Sequence, residues 1–255
     1  MTTTHDASRT RGRAFALAAG AELSKLISLP ATWLVLGGTF VITIVLSIAF
    51  GTSVPNGGGG PSGANILDYG VTAVTWTQCG FFLLGVIASS SEYIGGQIRT
   101  TLIAIPDRVR WRAAATLALA PLALSAGIIV VLASVTTTLL TARISMTDID
   151  IGTAVRIVLS AAVYLTLMTV LSSALGLLIR RAIPAAAMLL LYLMIISPLL
   201  QSQNWYFLPD IASYTLWFAS IPSTAPPAVV SWLVLLAWTL AFLLPSIIIA
   251  TRRDT

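Results

Sequence analysis

Residues 31–50 read ATWLVLGGTFVITIVLSIAF, twenty residues without a charge. At 1.5 Å per residue, a helix of that length covers the ~30 Å hydrocarbon core of a bilayer. The same reading applies five more times along the chain. Apolar stretches at about 68–90, 111–140, 153–179, 183–200 and 228–250 are each long enough to span, and polar or basic segments separate them. The expected architecture is therefore an all-α polytopic membrane protein with six transmembrane helices.

Composition agrees. Of the 255 residues, 57% are hydrophobic and 9% are charged, against about 25% charged in soluble domains. Mean hydropathy is +0.93. A net charge of +5 would suit nucleic acid, but the bases sit in short clusters beside apolar runs, where orientation signals belong. No nucleic-acid partner is expected, and membrane lipids are. With the N-terminus inside, Arg9, Arg11, Arg13, Lys25, Arg99, Arg108, Arg110, Arg112, Arg180, Arg181, Arg252 and Arg253 are all cytoplasmic. That is 12 of the 14 bases, leaving Arg143 and Arg156 outside with Asp68, Asp148, Asp150 and Asp210. The expectation is a plasma-membrane protein with both termini cytoplasmic.

Residues 1–13 are polar and basic and read as a disordered tail, ahead of a single transmembrane domain over 14–255. Arg9, Arg11 and Arg13 before Ala14–Ala21 resemble a signal peptide, but the apolar run is too short, and Glu22 and Lys25 break it off. Within 14–29, Phe15, Ala19, Leu23, Leu26 and Ile27 share one helical face and Glu22, Lys25 and Ser28 another. This predicts an amphipathic helix in the cytoplasmic interface, with Pro30 turning the chain into the membrane. Gly51–Ala64 reads as a loop, and Pro121 as a kink in the third span.

Several chemistries are excluded. The one histidine, His5, lies in the tail, so a serine-protease triad has no base. No His, Cys, Asp or Glu cluster is spaced for a metal. No G-x-x-x-x-G-K-[ST] loop is present, and the only lysine is Lys25. No enzymatic activity and no cofactor bound by this chain are expected. The spans show no evident mid-membrane charge, which argues against proton or sodium coupling.

The most informative internal segment is Glu92–Arg108, EYIGGQIRTTLIAIPDR. Ile94, Ile98, Leu102 and Ile105 share one helical face, and Pro106 ends the helix. The spacing alone fits either a helix that docks in a groove of another protein or a loop whose apolar face rests on lipid. The pattern E-Y-x-x-G-x-I-R-T-T-L-x-A-x-P-x-R resembles the loop between spans two and three of ABC-2 type transporter permeases. The layout of the whole chain is similar too: an N-terminal elbow helix with Glu22 and Lys25, six spans, and an aromatic segment before the last. The resemblance implies that Glu92–Arg108 carries a cytoplasmic coupling helix seated on a separate P-loop ATPase. Tyr93, Gly96, Ile98, Arg99 and Leu102 would be contact or packing positions, and Glu92 would brace the loop against the elbow. It also implies two ATPase copies holding ATP and Mg, and a second permease copy or paralogue. Arg108, Arg110 and Arg112 read as headgroup-level orientation charges.

In the second span Thr72, Thr75 and Cys79 share a face, a pattern that commonly knits helices together. The family's spans two and five line a dimer cleft, which makes Trp76, Cys79, Met188 and Tyr192 candidate cleft residues. An uncharged cleft would suit an apolar or amphipathic cargo, such as a drug, peptide or lipid. Trp205–Ser220, dense in aromatics, reads either as an interface belt or as the family's external lid. The function so implied is the permease subunit of an ATP-driven exporter working by alternating access. The alternatives are a membrane scaffold or regulatory subunit, or a passive channel.

Overall fold

The computed structural model of the protein describes residues 3–54, 65–90, 108–143, 149–203, 205–221 and 223–252. Among them the chain is helical throughout, without strands. The helices are α1 (Thr3–Ser28), α2 (Pro30–Thr52), α3 (Ile66–Ser90), α4 (Arg108–Thr141), α5 (Ile151–Ile179), α6 (Ala182–Gln201), α7 (Pro209–Trp217) and α8 (Ala228–Arg252). Six are long and apolar enough to cross a membrane: Pro30–Thr52, Ile66–Ser90, Trp111–Thr141, Ile151–Ile179, Ala182–Gln201 and Ala228–Ile249. Each lies within a few residues of a stretch expected from hydropathy. This is a multi-pass α-helical membrane protein.

α2 shows why lipid is its solvent. Its buried residues are Thr32, Thr39, Thr43, Ser47 and Gly51, while Trp33, Leu34, Val41, Ile42, Val45 and Ile48 are exposed. A soluble helix hides its apolar side; this one hides its hydroxyls. In lipid there is no hydrophobic gain from helix–helix contact, so close packing and interhelical hydrogen bonds hold the bundle. Thr43 donates to Thr77 at 2.8 Å, and Ser47 and Ser134 share a 2.8 Å bond. A Cβ on Gly80 would overlap the Thr39 hydroxyl, and one on Gly85 the Thr169 carbonyl and Ser172 hydroxyl. Glycine is required at both by the close approach of α3 to its neighbours.

α5 and α3 form the centre, with 72% and 61% of their apolar windows buried, against 22% for α2 and α6 and 17% for α8. Tyr164, Leu165 and Met168 of α5 pack with Phe81 and Phe82 of α3 and with Trp217 of α7, all nearly fully buried.

The up-and-down order gives the bundle two ends. The basic end holds Lys25, Arg112, Arg180 and Arg181. There α1 and α2 meet at Leu29–Pro30: Leu29 is extended, and Pro30 opens α2 at a position that needs no N–H. The Trp33 indole donates to the Ile27 carbonyl at 2.7 Å and braces the corner. α1 begins at Thr3, well before the amphipathic stretch starting at 14, and runs through residues read from composition as a tail. The carboxylate end holds Asp68, Asp150 and Asp210, with Arg143 and Arg156. Asp150 caps α5 there, accepting from the N–H groups of Gly152 (3.2 Å) and Thr153 (3.0 Å).

Candidate functional site

The carboxylate end contains a cavity of about 650 Å³ between α3, the second half of α6, and α7. α3 contributes Thr72, Thr75, Trp76 and Gln78. α6 contributes Leu193, Met194, Ser197, Pro198 and Gln201. Tyr206, Ile211, Tyr214, Thr215, Phe218 and Ser220 close it from α7 and its flanks.

The α6 wall is shaped by a π-helical turn at Tyr192–Ile196, where the Ser197 N–H reaches back to the Tyr192 carbonyl. Pro198 follows directly. Its ring has no N–H and collides with the carbonyl four residues back, so the wider turn before it absorbs the mismatch. The wide turn leaves Tyr192 and Ser197 on one side, and both hydroxyls donate to the carboxylate of Asp210 on α7.

Three polar side chains pin α7 to the bundle. Asp210, in its first turn, is 1% exposed. Asp68, at the start of α3, is buried and accepts from the N–H groups of Ala219 (2.6 Å) and Ser220 (3.0 Å), just past the C-terminus of α7. Arg156 of α5 donates to the Leu216 carbonyl at 2.9 Å, a cation at a helix C-terminus. Between the pins, Trp217 stacks on Tyr164 with centroids 5.4 Å apart, while Tyr164 donates to Gln78 at 2.5 Å. Burial pushes the Asp210 carboxyl above the ordinary carboxylate range, with the two hydroxyl donors opposing.

The Trp205–Ser220 segment therefore divides: Trp205 and Phe207 are exposed, as a belt would have them, while α7 is buried. Trp217 is fully buried, and Asp210 belongs to the interior rather than to an external loop. The bundle is accordingly less poor in ionisable groups than hydropathy suggests. Arg112 has a structural partner that the sequence did not indicate. It is 3% exposed, and its Nη2 donates to Ser173 of α5 at 2.9 Å, so its side chain is packed between helices. One base of a cluster at a span end looks like its neighbours in sequence; only the adjacent helix reveals its partner.

Of the candidate cleft residues, Trp76 lines the cavity. Tyr192 stands behind its wall, bonded to Asp210. Cys79 lies one turn along α3 and donates weakly to the Trp76 carbonyl at 3.5 Å. Met188 faces outward and is 55% exposed. Thr72 and Thr75, expected to knit helices, both line the cavity, and the Thr75 hydroxyl has no hydrogen-bond partner among the described residues.

At the basic end, Glu22 accepts from the Trp111 indole at 3.1 Å and lies 4.0 Å from Lys25. Leu26 packs on Leu84, Ala118 and Leu119. Burial lowers the Lys25 ammonium below the ordinary lysine range, against the pull of Glu22. Glu92, Tyr93, Gly96, Ile98, Arg99 and Leu102 lie outside the described residues. Among the described residues no three His, Cys, Asp or Glu side chains are grouped to hold a metal. No family model matches the chain, and no curated protein matches it either.

Proposed function

We propose that this chain is the permease subunit of an ATP-driven exporter. It would move an apolar or amphipathic molecule across the plasma membrane while a separate P-loop ATPase supplies the energy. The observation that carries the reading is the cavity of about 650 Å³ at one side of the six-span bundle, open past Trp76 and Met194 and covered by a short helix held by side-chain pins. That volume falls in the range of small-molecule sites, and its walls mix apolar surface with a few polar groups, as such sites do. The Glu92–Arg108 pattern supplies the second support, through its resemblance to the ABC-2 coupling loop.

In this reading the basic end faces the cytoplasm, in keeping with the positive-inside rule. α1 is the elbow helix, tied to α4 through Glu22 and Trp111. ATP binding and release would move the coupling segment and shift the bundle between inward-open and outward-open states. The chain performs no bond chemistry. It works with a second permease copy or paralogue and two ATPase subunits holding ATP and Mg.

Proteoliposomes containing the chain and its ATPase test this. The native complex is expected to move cargo only with ATP. Arg99→Glu combined with Leu102→Asp is expected to leave ATP turnover running without transport. Full transport by the double variant refutes the proposed coupling.

A further inference from the structure

The cavity walls carry a chemical preference. Ser197 gives its proton to Asp210, and Thr72 gives its proton to the Asp68 carbonyl at 2.6 Å. A hydroxyl that has spent its proton inside the protein presents lone pairs to the space it lines. Ser197 and Thr72 thus offer acceptors to the space, beside the N–H and O–H donors of Trp76, Gln78, Tyr206 and Tyr214. The Thr75 hydroxyl, buried and without a partner among the described residues, adds a group that a ligand could satisfy.

Charge favours a cation. Asp210 lies directly behind Ser197, and neither Asp210 nor Asp68 forms an ion pair with a Lys or Arg among the described residues. No Lys or Arg lines the cavity. Arg156 spends its guanidinium on the Leu216 carbonyl of α7. A buried carboxylate without a counter-cation is costly, and a cation entering the cavity would offset that cost. The remaining wall is aromatic, with Trp76, Tyr206, Tyr214 and Phe218. Aromatic faces attract cations, more strongly where water is excluded.

We propose that the cavity binds an organic ammonium ion, an apolar or aromatic body carrying a protonated amine. The amine would lie toward Ser197 and the Asp210 behind it, and the body would lie against Trp76 and Tyr214. This deepens the exporter reading by assigning a cargo class to the cavity, and it rests on that reading for the step from ligand to cargo.

Direct binding tests it without any ATPase. The full chain in phosphatidylcholine nanodiscs is titrated with dansylcadaverine, with its neutral N-acetyl derivative, and with an anionic dansyl amino acid, against empty nanodiscs. The amine is expected to bind at least about tenfold more tightly than the acetylated probe, a difference of about 1.4 kcal/mol. Asp210→Asn is expected to remove most of that preference, and Trp76→Ala to weaken both probes. If Asp210→Asn does not fold, the three-probe comparison on the native chain decides alone. Equal or tighter binding of the neutral or anionic probe overturns the proposal, as does no saturable binding of any of them. Amine binding without ATP-dependent movement would sink the exporter reading and leave the site standing. ATP-driven movement of neutral cargo with no ammonium preference would do the reverse.

Discussion

The two ends of this bundle are built differently. At the basic end, α1 lies along α4 through Leu26 and a few apolar neighbours, with one indole–carboxylate bond between Trp111 and Glu22. At the carboxylate end, α7 is sunk among the spans and tied at both of its termini by Asp210, Asp68 and Arg156. In a bilayer, apolar packing between helices gains little over packing against lipid. An element that must stay inside needs directed polar bonds, whereas one lying along an interface can be held by an amphipathic face. The difference teaches that charged residues here serve different elements at the two ends. Asp68, Asp210 and Arg156 fix α7 beside the cavity, while Glu22 ties α1 to α4 at the other end.

Breaking the pins should therefore cost more than loosening the elbow. The largest effect is expected from Asp68→Ala, which strips the acceptor from two half-buried N–H groups, at about 1–3 kcal/mol per donor left unpaired and less at Ser220, which water reaches. Thermal unfolding in detergent should show the loss, and hydrogen exchange should rise at 217–220 before it rises in α1. Arg156→Ala comes next, at about 1.5–3 kcal/mol for a charge-assisted bond at the upper end, less where water reaches the site. Its mark should be faster exchange in α7 with α1 unchanged. Trp111→Phe at the other end removes one bond and keeps an aromatic ring, so about 0.5–1.5 kcal/mol is expected. Here faster exchange should be confined to α1. If Trp111→Phe destabilises more than Asp68→Ala, the contrast between the ends is wrong.

How much of this was legible in the sequence depends on range. The spans were, because bilayer thickness sets their length and charge clusters set their limits. The α1–α2 corner was, because Pro30 leaves few alternatives. The roles of Asp68, Asp210 and Arg112 were not, since each side chain is defined by a partner outside its own helix: Ala219 and Ser220, Tyr192, and Ser173. Asp210 in particular follows Pro209 in an aromatic segment, which reads equally well as a surface belt. The π turn ahead of Pro198 left only the proline as a clue. The resemblance put both Trp76 and Met188 at a cleft; Trp76 lines the cavity, whereas Met188 precedes the widened turn of α6 and faces outward.

Acidity gives a finer way to sharpen the comparison, with opposite signs for two carboxyls. Asp210 is raised by burial, so the folded state holds its proton more tightly than the unfolded chain does, whose value is about 3.9. Its contribution to stability is fully present below that value and is lost as pH rises through the folded pKa. The titratable groups around it, Tyr164, Tyr192 and Tyr214, are phenols and carry no charge between acid and neutral pH. Asp150 is lowered by its hydrogen bonds to Thr153 and Gly152, so its contribution is present above the unfolded value and lost as pH falls through the folded one. Melting curves across acid to neutral pH should show Asp210→Asn flattening the decline toward neutral pH. Asp150→Ala should flatten the acid limb, with a smaller amplitude because the cap is fully exposed. Matching slopes for the two variants would remove the distinction.

The most direct measurement is purification of the intact chain from its native membrane under mild detergent, with Mg-ATP turnover then read in the isolated complex. A P-loop ATPase is expected in stoichiometric amount, still turning over in the Arg99→Glu, Leu102→Asp variant but no longer coupled to transport. A native complex without any nucleotide-hydrolysing subunit would contradict the exporter reading.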